Sequence, residues 1–209
     1  DRQAAQQRYI EVVAKRSRCS VESARHMVER QCNGILLSGV PLAFDDADLV
    51  GMGVANVLAD PVRFVGATLA DPVEGVAYGR CKARVMQRTD GTVWIHSFAH
   101  GRTTYELKHD AASVEAALAK ATSAEVVSLF VRLALAADLR VDDEERLRDF
   151  ARRLAGVGKR AINEMLKAAR ADQQKQRIHE DRERRVAERT DPRPRLQAPT
   201  PDAPWLREM

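Results

Sequence analysis

The stretch from Lys82 to Phe98 constrains this chain more than any other. Lys82-Ala-Arg-Val-Met-Gln-Arg88 and Val93-Trp-Ile-His-Ser-Phe98 flank Thr89-Asp90-Gly91-Thr92. An Asp-Gly pair between two alternating runs signals a hairpin, because Gly takes the positive φ that a tight reversal needs. A period of two sets Trp94, His96 and Phe98 on one face and Val93, Ile95 and Ser97 on the other. After an Ala99-His100-Gly101-Arg102 turn, Thr103-Thr104-Tyr105-Glu106-Leu107 reads as a further strand. The expectation is a small three-stranded antiparallel ribbon that needs helices over one face.

Helical patterns surround this ribbon. Tyr9, Val12 and Val13, then Val21, Ala24 and Val28, recur at helical spacing, with Ser20 as a cap and Asn33-Gly34 as a stop. Two helices at an angle suit a helix-turn-helix DNA reader or plain helical packing. A third helix is expected from Asp45 or Asp46 to just before Asp60-Pro61, followed by a loop carrying Thr68, Asp71-Pro72 and Gly75. Thr122 with Glu125 has the spacing of a capping box opening an apolar helix from Val126 to Ala137, and Asp142 with Glu145 repeats it for a helix ending at Gly156. Asn163, Leu166 and Ala169 continue a helix that becomes highly charged from Asp172 to Arg189. Five prolines from Pro192 to Pro204 then force an extended linker.

The predicted fold class is therefore α+β, mostly helical, with the ribbon and an extended Pro-rich tail. It divides into a helical segment 1–68, a β module 69–110, a helical module 111–171 and a charged helix with linker 172–209. Asp1 follows no initiator Met, and the chain stops at Trp205-Leu-Arg-Glu-Met209; both ends read as cuts from a longer polypeptide.

Charge separates the function classes. The net charge is only +4. Yet Arg80, Lys82, Arg84, Arg88, Arg102 and Lys108 face only Asp90 and Glu106 between Gly79 and Lys108, an excess as large as that of the whole chain. A basic, aromatic-bearing strand pair suits single-stranded nucleic acid, with rings for stacking and cations for phosphates. The candidate contacts are Lys82, Arg84, Arg88, Trp94, His96, Phe98, His100 and Arg102. Two other readings remain open: a solvated basic face without a ligand, and a buried Trp94–Phe98 pair.

Several motifs fall short. Ser97 near His100 lacks the frame of a nucleophile elbow. Gly156-Val-Gly158-Lys159-Arg160 lacks the spacer and the Ser/Thr of a phosphate loop. The same segment has the length of a helix-turn-helix, in which Lys159, Arg160 and Asn163 would lead into a groove. Cys19, Cys32 and Cys81 are odd in number and lack disulfide or metal spacing, which points to a reducing, cytoplasmic setting. No run of roughly 20 apolar residues exists to cross a membrane.

Gly91-Thr-Val-Trp-Ile-His-Ser-Phe-Ala-His-Gly101 resembles the strand and knuckle of zinc-ribbon primases, which end in a His-Cys-x-x-Cys-Gly turn. Asp71-Pro-Val-Glu-Gly-Val-Ala-Tyr-Gly-Arg-Cys-Lys-Ala83 and Tyr105-Glu-Leu107 are similar to the linker region of phage and plasmid primase–helicases. The resemblance covers Leu69 to Asp110. It implies an accessory region of a mobile-element replication protein, with primase and ATPase domains flanking it and single-stranded DNA as partner. The metal does not carry over. Ser97 and His100 stand at the two Cys positions, and the upstream pair falls near Glu74 and Ala77, leaving too few ligands for tetrahedral zinc. Cys81, His96 and His100 are the remaining improvised set. No metal or other cofactor is expected, and no catalysis by this segment itself.

Overall fold

A computed structural model describes residues 2–17, 19–99 and 104–189. In chain order the elements are α1 (Arg2–Ser17), α2 (Val21–Cys32), β1 (Ile35–Leu37), α3 (Val54–Ala59), α4 (Pro61–Phe64), β2 (Thr68–Leu69), β3 (Ala83–Gln87), β4 (Val93–Ser97), β5 (Thr104–Lys108), α5 (Ala111–Lys120), α6 (Val126–Ala136), α7 (Val141–Ala155) and α8 (Lys159–Arg189). Short 3-10 turns at Ala47–Leu49 and Val76–Tyr78 lie between them. The fold is α+β and mostly helical, and it divides into two units, Asp1–Leu166 and Lys167–Met209.

The ribbon is the middle of something larger. The strands form a five-stranded mixed sheet in the order β1-β5-β4-β3-β2. The antiparallel pairs β3–β4 and β4–β5 are the expected ribbon, while β2 adds an antiparallel edge and β1 runs parallel to β5. Alternation has a thermodynamic cause here. Ala83, Val85, Val93, Ile95, Tyr105 and Leu107 are buried, with Leu36, Val54, Val57 and Phe64 in the same core. A one-residue slip would expose the whole set.

The expected third helix is broken. Gly53 caps α3 while its backbone packs on the loop after β1, where an added Cβ would lie 2.8 Å from the Val40 carbonyl oxygen. Val54 N–H donates to that carbonyl, at 3.0 Å. This close approach interrupts what spacing alone makes continuous.

In the amino-terminal pair, Ile10 and Ala14 of α1 pack with Ala24 and Val28 of α2, whereas Tyr9 and Val12 are exposed. The buried stripe is thus one residue out of phase with the one expected for α1. Ser20 caps α2 through its hydroxyl, which accepts from Ser23 N–H at 3.1 Å. Asp110 opens α5 with a reciprocal Ser113 box. Thr122 and Glu125 bond side chain to side chain at 2.7 Å, but the N-cap of α6 is Glu125 itself and no side chain caps the helix, so the expected box does not open it. Asp142 does not cap α7 either; it sits with Asp143 and Glu144 inside the first turn, where the helix dipole favours carboxylates. Gly156 ends α7 in the left-handed conformation.

Helices α5, α6 and α7 pack on one another, burying Val114, Leu118, Val126, Phe130, Leu147 and Ala151. Arg30 of α2 holds Asp138 after α6 at 2.7 and 2.8 Å, and Arg140 reaches Glu22 at 2.9 Å. Asp138 N–H also donates to the His109 carbonyl at 3.0 Å. These bonds fix the helical part against α2 and the end of β5.

In the second unit, the described residues continue α8, with Lys175–Asp172, His179–Glu183 and Arg184–Asp181 paired one turn apart. Ile178 and Val186 are exposed. The expected Pro-rich extension begins at Thr190 and lies outside the described residues. Among the described residues, no helix is long and apolar enough to cross a membrane.

Candidate nucleic-acid interface

The sheet buries one face and leaves the other accessible. Along β4, Val93, Ile95 and Ser97 are buried, whereas Trp94 and His96 are partly exposed and Phe98 is 61% exposed. The sequence reading in which Trp94 and Phe98 form a buried pair is therefore overturned. The three rings form a continuous row. Trp94 and His96 meet edge to face with centroids 5.7 Å apart, and His96 and Phe98 do so at 4.8 Å. Such contacts favour the quadrupoles of the rings and hold them in order.

Register decides what flanks the row. On the β3 side, Arg84 lies across from His96 and Met86 across from Trp94. Lys82 sits across from Phe98, whose N–H donates to its carbonyl at 2.8 Å. On the β5 side, Thr104 is opposite His96 and Glu106 opposite Trp94. The open face thus carries three parallel rows: cationic residues with Met86 on β3, rings on β4, and hydrogen-bonding groups on β5. Arg84 donates through Nε to the Gly66 carbonyl at 3.1 Å, using one of its five donors. The Lys82 ammonium sits 5.6 Å over the Tyr78 ring.

Of the eight sequence candidates, the sheet brings together Lys82, Arg84, Trp94, His96 and Phe98. Arg88 stands apart in the hairpin turn, its N–H donating to the Thr92 carbonyl at 2.9 Å. His100 and Arg102 lie outside the described residues. Tyr78, Met86, Thr104, Glu106 and Lys108 are not among the sequence candidates, although period-two spacing from Thr104 to Lys108 places the β5 residues on the same face.

The zinc-ribbon pattern meets a geometric obstacle. His96 and Ser97 point to opposite faces, so a metal held by His96 could not be shared with residue 97. Ser97 is fully buried; its hydroxyl donates to Asp71 Oδ2 at 2.5 Å and accepts from Ala99 N–H at 3.1 Å. Asp71 Oδ1 accepts from Val73 and Glu74 N–H, both at 2.8 Å. Among the described residues, no three His, Cys, Asp or Glu side chains are grouped to hold a metal ion. Cys81 lies in a left-handed conformation, with φ 55°, its N–H held by Asp45 Oδ2 at 3.0 Å.

Two other places carry charge. A cleft of about 310 Å³ between α2 and the start of α5 contains Cys19, His26, Asp110, Arg140 and Arg146. Burial, and then the Asp110 carboxylate, push the Cys19 thiol up, which keeps it protonated and poorly nucleophilic. Arg140 and Arg146 are already engaged by Glu22 and Glu115. At the start of α8, Lys159 is held by Glu145 at 2.8 Å and Arg160 by Glu164 at 3.1 Å. Lys159, Arg160 and Asn163 are all exposed at this turn.

Comparisons with protein-family models, curated proteins and solved structures find no match.

Proposed function

We propose that this chain is a non-catalytic module of a mobile-element DNA replication protein that engages single-stranded DNA on the open face of its sheet. The observation that carries this reading is the accessible Trp94–His96–Phe98 row with Lys82 and Arg84 beside it. Each base offers a flat π face whatever its identity, so a row of rings binds single strands with little sequence preference, at about 1–3 kcal/mol per stacked base. A duplex hides those faces within its own stack. Adjacent cations then hold the phosphates and release condensed counterions. In its setting, the module couples a primase domain to an ATPase motor of the same cytoplasmic polypeptide. That context rests on the resemblance of Leu69 to Asp110 to primase–helicase linkers.

The test is fluorescence anisotropy with a labelled single-stranded oligonucleotide at several salt concentrations. Binding should weaken as salt rises. Arg84→Ala should lower the slope of log affinity against log salt by about 0.7, the value for one phosphate on a single strand. An absence of binding at low salt would reject the reading.

A second reading is a connector that sets the spacing between domains. It is favoured by α8, a 31-residue helix whose described residues beyond Leu166 are almost all exposed and laced with ion pairs. Such a helix acts as a semi-rigid spacer. On that reading Trp94 and Arg84 variants leave nucleic-acid affinity unchanged.

A further inference from the structure

The three rows on the open face are not equivalent, and their asymmetry gives a bound strand a direction across the sheet. Lys82 and Arg84 flank the rings on the β3 side. On the β5 side the group level with Trp94 is Glu106, an anion whose side chain is half exposed. Phosphates are attracted to the first flank, whereas on the second the Glu106 carboxylate and the Lys108 ammonium offset one another and leave no net cation to hold them. A base stacked on Trp94 therefore has its sugar and phosphate toward β3 and its Watson–Crick edge toward β5.

We propose, building on the single-strand reading above, that Glu106 and Lys108 read this edge and make the Trp94 position selective for guanine over adenine. Directly paired strand residues have Cβ atoms about 5 Å apart, so the Glu106 carboxylate comes level with the rim of a base on the Trp94 ring. A carboxylate only accepts hydrogen bonds, and an ammonium only donates them. The Lys108 ammonium lies 3.7 Å from Glu106 Oε2, on the same face of β5. Together they present a donor beside a pair of acceptors.

Guanine matches that pattern. Its O6 accepts from Lys108, while N1–H and the 2-amino group donate to the two carboxylate oxygens. Adenine reverses it. Its 6-amino group meets the ammonium and its N1 lone pair meets the carboxylate, so donor faces donor and acceptor faces acceptor. Both purines stack equally well on Trp94, so the edge alone decides between them. A bidentate pair of this kind discriminates by a factor of at least about five.

The experiment compares two single strands of equal length, repeats of TTG and repeats of TTA, binding to the intact chain. The TTG strand should bind at least about fivefold more tightly. Replacing guanine by hypoxanthine, which lacks the 2-amino group, should remove part of that preference without any change in the protein. Glu106→Gln should remove most of it, and an unchanged melting temperature would show that the variant is folded. Equal binding of TTG and TTA would overturn the edge reading while leaving the stacking platform intact. So would a guanine preference that survives both hypoxanthine and Glu106→Gln. If neither strand binds, the platform itself fails, and the selectivity fails with it.

Discussion

Ser97 donates its hydroxyl to Asp71 Oδ2 at 2.5 Å, and both residues are buried beneath the strand that carries the rings. The bond ties β4 to the Asp71–Glu74 turn, whose two N–H groups occupy the other carboxylate oxygen. Removing the hydroxyl leaves a buried oxygen of a charged group without this donor. Ser97→Ala should therefore cost about 1–3 kcal/mol in denaturant unfolding. Ser97→Cys tests the same pair differently. A thiol is a weaker and longer donor, so it should also destabilise, and it faces Asp71 rather than His96. A Ser97→Cys variant that is as stable as the parent and takes up stoichiometric zinc would refute this account.

Trp94 stands on the opposite side of that strand. Being partly exposed and outside the core, Trp94→Ala should change stability by about 1 kcal/mol or less, against 3–5 kcal/mol for a buried ring. Single-strand affinity should fall by roughly five- to 150-fold, the equivalent of one stacked base. Trp94 is one of two tryptophans. In a Trp205→Phe background its emission should be quenched as oligonucleotide is added. Quenching without saturation, or an unfolded Trp94→Ala, would count against the platform.

His109 sits where β5 gives way to α5. Burial pushes its imidazole below the ordinary value of 6.5, with the Asp110 carboxylate opposing and Arg132 assisting. The folded state therefore keeps the ring neutral, while the unfolded chain takes up a proton near 6.5. By linkage, the stabilisation is complete above that value and is lost as pH falls below it. The melting temperature should drop between neutral pH and about 5.5, and His109→Gln should flatten that drop. A wild-type profile flat across this range would refute the assignment.

Much of the open face was legible because successive side chains of a regular strand alternate between its two faces. Asp90-Gly91 located the turn, and the parity of Trp94, His96 and Phe98 put them on one side. The edges of the sheet were not legible. Ile35–Leu37 is three apolar residues with no alternation, and it pairs with residues 106 to 108 far along the chain. Thr68–Leu69 is shorter still. Their pairing is decided by the core that Leu36, Leu37 and Leu69 complete, a tertiary term that local pattern does not carry. Glu106 was visible only as a counter-charge within a basic stretch. Its position level with Trp94 follows from the β4–β5 register, which no spacing within one strand specifies.

Buried side chains mark how far the stable body extends. In the first unit, Ile162 and Leu166 are 0% and 2% exposed, and Leu166 is the last buried residue among those described. From Lys167 onward the described side chains are exposed, apart from the partly covered Ala169 and Gln173. Their ion pairs are between residues one turn apart on the same helix, and such pairs contribute only about 0.3–0.5 kcal/mol each. Ending the chain at Ala171 keeps Ile162 and Leu166 with a full turn of helix after them. The melting temperature should then move by no more than about 2–4 °C, the shift expected for 1 kcal/mol in a domain of this size. A larger fall would mean that the charged helix packs back on the body or pairs with a second copy, and a melting temperature of the full chain that depends on its concentration would identify the second copy. In that case truncation removes an interface and not merely an exposed helix.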